Sequence, residues 1–202
     1  MIKNIIFDIG NVLSDFRWRE FIIEKGFDEE TADRIGRASV MTDSWYEFDK
    51  GVLSEEDVIE LFIKNDPEIA NEIHKAFDDV TGMVKLKPET FDWLHNLRGR
   101  GYKLYFLSNY SYKAVKQCPE ATSFIPEMDG GILSYTVKMT KPDKNIYELL
   151  LSRYNLSADE CIFIDDTLKN VKAAESLGIH GIQYLNSLQA HKDLENALKT
   201  NY

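Results

Sequence analysis

The sequence predicts an α/β fold: a parallel β-sheet covered on both faces by helices, with an all-helical segment inserted after the first strand. Three observations carry this reading. Short, mainly apolar runs occur at Asn4–Phe7, Lys103–Leu107 and Cys161–Ile164, as strands buried on both faces require. Amphipathic helical patterns separate them. Each run also stops at a polar cluster, at Asp8-Ile9-Gly10-Asn11, Ser108-Asn109 and Asp165-Asp166 respectively.

In chain order, Asn4 to Phe7 is a buried strand that ends in a polar loop. From about Phe16 to Lys85 the pattern is helical and holds no good strand. Within it, Ser54 precedes Glu55, Glu56 and Asp57, an N-cap with acids in the first turn, and Val58, Leu61 and Phe62 follow at helical spacing. Asp66-Pro67 opens another helix, with Ile69, Ile73 and Phe77 on one face. After Lys87-Pro88 a helix carrying Phe91, Leu94 and Leu97 ends near Gly99 and Gly101, and the strand from Lys103 follows. Ile132 to Tyr135 reads as a weaker strand. Asp143 to Tyr154 reads as a helix with Ile146, Leu149 and Leu150 facing inward. Beyond Ile164 a helix with Val171, Ala174 and Leu177 stops at Gly178, and Gly181 to Leu185 is the last strand. The sequence has no internal repeat and no low-complexity segment.

The 202 residues suit one α/β domain with an insertion, and 44% hydrophobic and 29% charged residues with five prolines mark a globular chain. A formal net charge of −10 disfavours nucleic acid and anionic membranes as partners and repels a phosphorylated substrate at long range, so a phosphate site must supply its own positive charge. No apolar stretch approaches the roughly 20 residues of a membrane span. The N-terminal Met1 to Asp8 is too soon charged for a signal peptide, so a cytoplasmic setting is expected. Cys118 and Cys161 form no CxxC pair, which argues against structural zinc; Cys161 reads as a core residue. A monomer is the default expectation.

In an open α/β sheet, ligands bind beyond the carboxyl ends of the strands. Parallel strands would bring Asp8, Ser108, Asn109, Asp165 and Asp166 to one edge. Carboxylates gathered there repel one another and raise one another's pKa unless a cation sits among them. Oxygen ligands with no His or Cys point to Mg²⁺. A single Asp after a strand is ordinarily a cap or turn residue, and Asp165-Asp166 alone would cap the helix that follows. Three such strand ends with matching chemistry argue for a site.

The same residues resemble the motifs of the haloacid dehalogenase superfamily. Phe7-Asp8-Ile9-Gly10-Asn11-Val12-Leu13 resembles the first motif, Leu107-Ser108-Asn109 the second, Lys141-Pro142 the third, and Ile164-Asp165-Asp166-Thr167-Leu168-Lys169-Asn170 the fourth. Order and spacing fit over nearly the whole chain. The Asp-x-Gly-Asn-Val pattern is similar to that of small phosphatases related to the N-terminal domain of soluble epoxide hydrolase, including bacterial glucose-1-phosphate phosphatases. The resemblance implies a Rossmann-like core at 1–15 and 86–202 with an α-helical cap at 16–85. It implies a Mg²⁺-dependent phosphatase in which Asp8 is the nucleophile and forms an aspartyl-phosphate. The Asp8 carboxylate, the Gly10 carbonyl and the Asp166 carboxylate would hold the metal. Asp165 and Asn170 would orient those ligands, while Ser108, Asn109 and Lys141 would hold the phosphoryl oxygens. A small phosphosugar is the implied substrate. Asp15 reads as a cap or hinge residue, Trp18, Trp45, Tyr46 and Phe48 mainly as core of the inserted helices with the alternative that some face the active site, and Lys113 to Lys116 as a solvated face.

One position departs from the pattern. Most phosphatases of this superfamily carry an Asp two residues after the nucleophile as general acid and base, and here that position is Gly10. Two other readings therefore stand beside the phosphatase: a catalytically degenerate binding or regulatory protein, and a metal-independent dehalogenase, against which Asp165-Asp166 argues.

Overall fold

The computed structural model describes residues 1–200. Its main sheet has five parallel strands, β1 (Asn4–Phe7), β4 (Lys103–Ser108), β5 (Gly130–Leu133), β6 (Cys161–Asp165) and β7 (His180–Gln183), in the order β5-β4-β1-β6-β7. Strands β2 (Ser14–Phe16) and β3 (Val84–Leu86) form a separate antiparallel ribbon. The chain starts at the centre of the main sheet, fills one side and then the other, which makes the end of β1 the topological switch point. Registers pair Phe7 with Phe106 and with Ile164, so the residues that follow all three strands emerge at the same edge.

Alternate side chains of the central strands enter different cores. Ile5, Phe7, Leu104, Phe106, Ile162 and Ile164 pack on one face, against α6 (Thr90–Gly99) through Trp93, Leu94 and Leu97 and against α11 (Ser187–Thr200) through Ala190, Leu194 and Leu198. Ile6, Tyr105, Leu107, Cys161 and Phe163 pack on the other, against α9 (Lys144–Tyr154) and α10 (Leu168–Glu175). Both faces are covered, and that is why these strands read as apolar runs rather than alternating ones. Cys118 and Cys161 are both buried free thiols.

The helices α1 (Trp18–Glu24), α2 (Glu29–Ala38), α3 (Ser44–Lys50), α4 (Glu55–Asn65) and α5 (Ala70–Phe77) surround a third core that includes Phe21, Ile22, Ile35, Phe62, Ile73 and Phe77. The Ser54 hydroxyl caps α4 by accepting from Asp57 N at 3.1 Å. Trp45 lies within 6.0 Å, ring centre to ring centre, of Phe16, Phe48, Phe62 and Phe77.

The structure corrects the sequence reading at several places. The segment from Phe16 to Lys85 is not free of strand: Phe16 pairs with Val84 and Asp15 with Lys85 in the β2–β3 ribbon. Three-residue strands joined only across the whole insertion leave no local signal. The weaker strand ends at Leu133, because Ser134 begins the short helix α8 (Ser134–Val137). The last strand is His180–Gln183, one residue earlier at its start and two at its end than the apolar pattern suggests. Lys113 is not part of a solvated face. It sits on α7 (Tyr112–Gln117) and bonds Glu55 of α4 at 2.8 Å. That pair, the contact between Lys169 Nζ and the Tyr46 hydroxyl, and the Ser134 hydroxyl donating to Asp49 O at 2.6 Å tie the inserted helices down over the strand ends. Among the described residues no helix is long and apolar enough to cross a membrane.

Candidate active site

The edge formed by β1, β4 and β6 gathers Asp8, Asp165 and Asp166, each offering an oxygen within 4.8 Å of the others'. Asp8 is fixed to the sheet by its N–H, which donates to Ile164 O at 2.8 Å. Its Oδ1 accepts from Ile9 N at 2.7 Å and lies 2.9 Å from Lys141 Nζ. Lys141 is 1% exposed and its ammonium also donates to Asp165 Oδ2 at 2.6 Å. The lysine is held from behind by Asn109, whose side-chain oxygen accepts from Lys141 N at 2.8 Å and whose Nδ2 donates to Lys141 O at 3.0 Å.

Asp165 is fully buried and both its oxygens are committed. Oδ1 accepts from Thr167 N at 2.8 Å, Oδ2 is held by Lys141, and Asn170 Nδ2 lies 3.1 Å from each. Asp166 is half-buried; its oxygens meet Asn11 Nδ2 at 2.8 Å and the Thr167 hydroxyl at 3.2 Å. Gly10 lines the same cleft as Asp8 and Asp166. An all-oxygen donor set of this kind fits Mg²⁺. Of these carboxylates Asp8 and Asp166 could hold such an ion, because the hydrogen bonds on Asp165 commit that residue to Lys141, Thr167 and Asn170. Ser108 is buried at the end of β4 with its Oγ 3.5 Å from Asn109 O, and neither Ser108 nor Lys141 belongs to the cleft lining.

Electrostatics follow from this packing. Burial, reinforced by the charges of Asp165 and Asp166 and opposed by Lys141, pushes the Asp8 carboxyl up to about 7 in the absence of a cation. Burial alone would lower the Lys141 ammonium, but Asp165 and Asp8 outweigh it and hold it above its usual value.

Two residues lining the cleft were not singled out from the sequence. Asn11 adopts a left-handed backbone with φ +59°, tolerated by Asn, and its side chain joins Asp166 to Phe16 N at the start of the insertion. The other is Asp49 of α3. It is 6% exposed, lines the cleft with Asp8 and Gly10, and its carboxyl has no hydrogen bond or ion pair among the described residues. Its signal in the sequence was a carboxylate on an aromatic helical face, four residues after Trp45 and next to Phe48.

Burial first, and the Asp8 charge second, push Asp49 up to about 8 from 3.8, with Lys141 opposing. A folded pKa above the unfolded one gives a stability contribution that is full below about pH 4 and lost as pH rises through about 8. Asp49→Asn, which keeps the shape and removes the titration, is therefore expected to melt like the parent near pH 4. It should melt at a higher temperature than the parent above pH 8. Thermal denaturation across that range checks this.

The cleft has a volume of about 170 Å³. Asp8, Gly10, Asn11, Asp49, Asn109 and Asp166 give it a polar floor, and Phe16, Trp45, Met83, Val84 and Ala114 give it an apolar wall.

Comparison with known proteins accords with this geometry. The chain is 28% identical over 192 residues to the sesquiterpene phosphatase of Aspergillus oryzae, covering 95% of this chain and 94% of that protein. It is 25% identical over 217 residues to the D-ribitol-5-phosphate phosphatase of Bacteroides thetaiotaomicron, covering 96% and 97%. A haloacid dehalogenase family enzyme of Bacteroides thetaiotaomicron, solved with magnesium and inorganic phosphate, shares the fold with a TM-score of 0.64 at 24% identity, covering 91% of this chain and 94% of that one. The haloacid dehalogenase-like hydrolase family matches residues 2–178, and the chain belongs to that family.

Proposed function

We propose that this chain is a Mg²⁺-dependent phosphatase that hydrolyses a small phosphate monoester through an aspartyl-phosphate on Asp8. The observation that carries the reading is the placement of Asp8 at the switch point, in contact with the buried Lys141 ammonium and beside Asp166. Asp8 attacks phosphorus. Lys141 has three N–H donors, of which Asp8 and Asp165 engage two. The third, with Ser108 and the N–H groups around Asn109, holds phosphoryl oxygens, so that positioning and preset charge supply most of the rate. Mg²⁺ on Asp8, Gly10 and Asp166 would neutralise phosphate charge. Residues 16–85 act as a cap on a core of 1–15 and 86–202, and closure over the cleft excludes water. The protein works as a cytoplasmic monomer.

The small cleft suits a compact ester such as a sugar phosphate, in keeping with the ribitol phosphatase among the relatives. Its apolar wall favours a second substrate class, phosphates of apolar alcohols, in keeping with the sesquiterpene phosphatase. A panel of sugar, nucleotide, prenyl and aryl phosphates, assayed with and without Mg²⁺, tests the proposal. Phosphate release that needs Mg²⁺ is expected for at least one class. No release from any would favour a binding protein, and metal-independent halide release from haloacids would favour a dehalogenase.

A further inference from the structure

The phosphatase reading leaves one part unassigned. A monoester with an alkyl leaving group needs a proton delivered to the departing oxygen, and the position two residues after Asp8 is a glycine. The space a side chain would fill there is open: a Cβ built on Gly10 meets no atom within 4 Å. Across the same cleft stands Asp49, brought in by α3 rather than by the sheet. Its backbone carbonyl is anchored by the Ser134 hydroxyl, which ties this end of α3 to the end of β5. The residue is 6% exposed, and its carboxyl borders the cleft with no hydrogen bond or ion pair among the described residues. The charged and titratable groups near it are Asp8, Lys141 and the Tyr110 hydroxyl, a buried group that also lacks a hydrogen-bond partner.

Resting on the phosphatase reading, we infer that Asp49 is the general acid and base of this enzyme, supplied by the inserted helices in place of the residue absent at Gly10. In the first half-reaction an Asp8 oxygen bonds to phosphorus and the bond from phosphorus to the leaving oxygen breaks. The Asp49 proton passes to that oxygen, releasing the alcohol and leaving Asp49 as carboxylate. In the second, water bonds to phosphorus and gives its proton to Asp49. The bond from phosphorus to the Asp8 oxygen breaks, freeing phosphate and restoring both side chains. Burial first, and the Asp8 charge second, favour the protonated form of Asp49, the form the first step requires. Because the acid sits on the inserted helices, proton delivery is available only when those helices lie over the site.

The test is the dependence of kcat/KM on leaving group for the Mg²⁺-loaded parent and Asp49→Asn, from 4-nitrophenyl phosphate through phenyl phosphate to alkyl and sugar phosphates. General acid help is worth about 10²–10⁴-fold, and the variant is expected to lose that much on alkyl esters and progressively less as the leaving group improves. Slow hydrolysis of its phosphoenzyme is expected to give a burst of one 4-nitrophenol per enzyme. Adding Gly10→Asp to Asp49→Asn, with the open space at Gly10, is expected to restore part of the alkyl phosphatase activity. An equal loss on every substrate, carried in KM and without a burst, would overturn the inference and leave Asp49 a substrate-binding residue. Parent protein that releases no phosphate from any of these esters would instead overturn the phosphatase reading itself.

Discussion

Asp8→Asn is expected to reduce phosphate release by about 10⁴–10⁶-fold on every substrate accepted, the scale seen when a covalent nucleophile is removed. The amide oxygen can still accept from Ile9 N and Lys141, which hold Asp8 Oδ1 at 2.7 and 2.9 Å, so the fold should persist. Removing the negative charge also lessens repulsion of the incoming phosphate. KM should therefore stay level or fall while kcat collapses. Steady-state kinetics with a melting curve on the same preparation separates this outcome from unfolding, which would lower both activity and melting temperature.

The second large effect falls on stability. Lys141 is buried between Asp8 and Asp165 at 2.9 and 2.6 Å. Lys141→Met leaves both carboxylates buried without their cation. Breaking a buried ion pair by removing one partner costs about 3–5 kcal/mol. For a chain of this size that is a fall in melting temperature of roughly 6–20 °C. Coupling within the pair gives a second readout. Asp165→Asn in the Lys141→Met background is expected to recover part of the loss, because the buried charge left behind is then removed. Differential scanning calorimetry of the two single variants and the double variant checks both. Additive losses would contradict the ion-pair account.

Much of this arrangement is legible from residues alone, and the reason is local. β1, β4 and β6 are buried on both faces, so their sequences are apolar throughout, and the polar groups that end them stand out. The shared edge then follows from parallel pairing, which is why Asp8, Asp165 and Asp166 were expected together before their distances were known. Features that depend on distant partners were not legible. The ribbon of Ser14–Phe16 with Val84–Leu86 joins the two ends of the insertion by three residues each. The Asn109 clamp on the Lys141 backbone joins the loop after β4 to the loop between α8 and α9. Asp49 enters the cleft only because α3 folds back over the sheet, and nothing in its immediate sequence says which core its helix will face. Helix α11 is a different case. Ala190, Leu194 and Leu198 already form a stripe at four-residue spacing, and they pack on the sheet as that stripe suggests.

In the proposed mechanism the two adjacent acids at the end of β6 take distinct duties. Asp165 spends both oxygens on Lys141, Thr167 and Asn170, and this fixes the ammonium that faces Asp8. Asp166, more exposed and held by Asn11 and Thr167, retains capacity for a cation. Asn170 depends on the same arrangement, for its Nδ2 serves Asp165 while its Oδ1 is buried without a partner.

The most direct measurement of the central claim is the location of phosphate on enzyme quenched with acid during turnover in the presence of Mg²⁺. With 4-nitrophenyl phosphate as substrate, peptide mass spectrometry is expected to find a single acid-stable, hydroxylamine-labile phosphoryl group on the peptide carrying Asp8, at higher occupancy in Asp49→Asn than in the parent. Turnover with no phosphoryl group on the protein, or with one on another residue, would contradict the account.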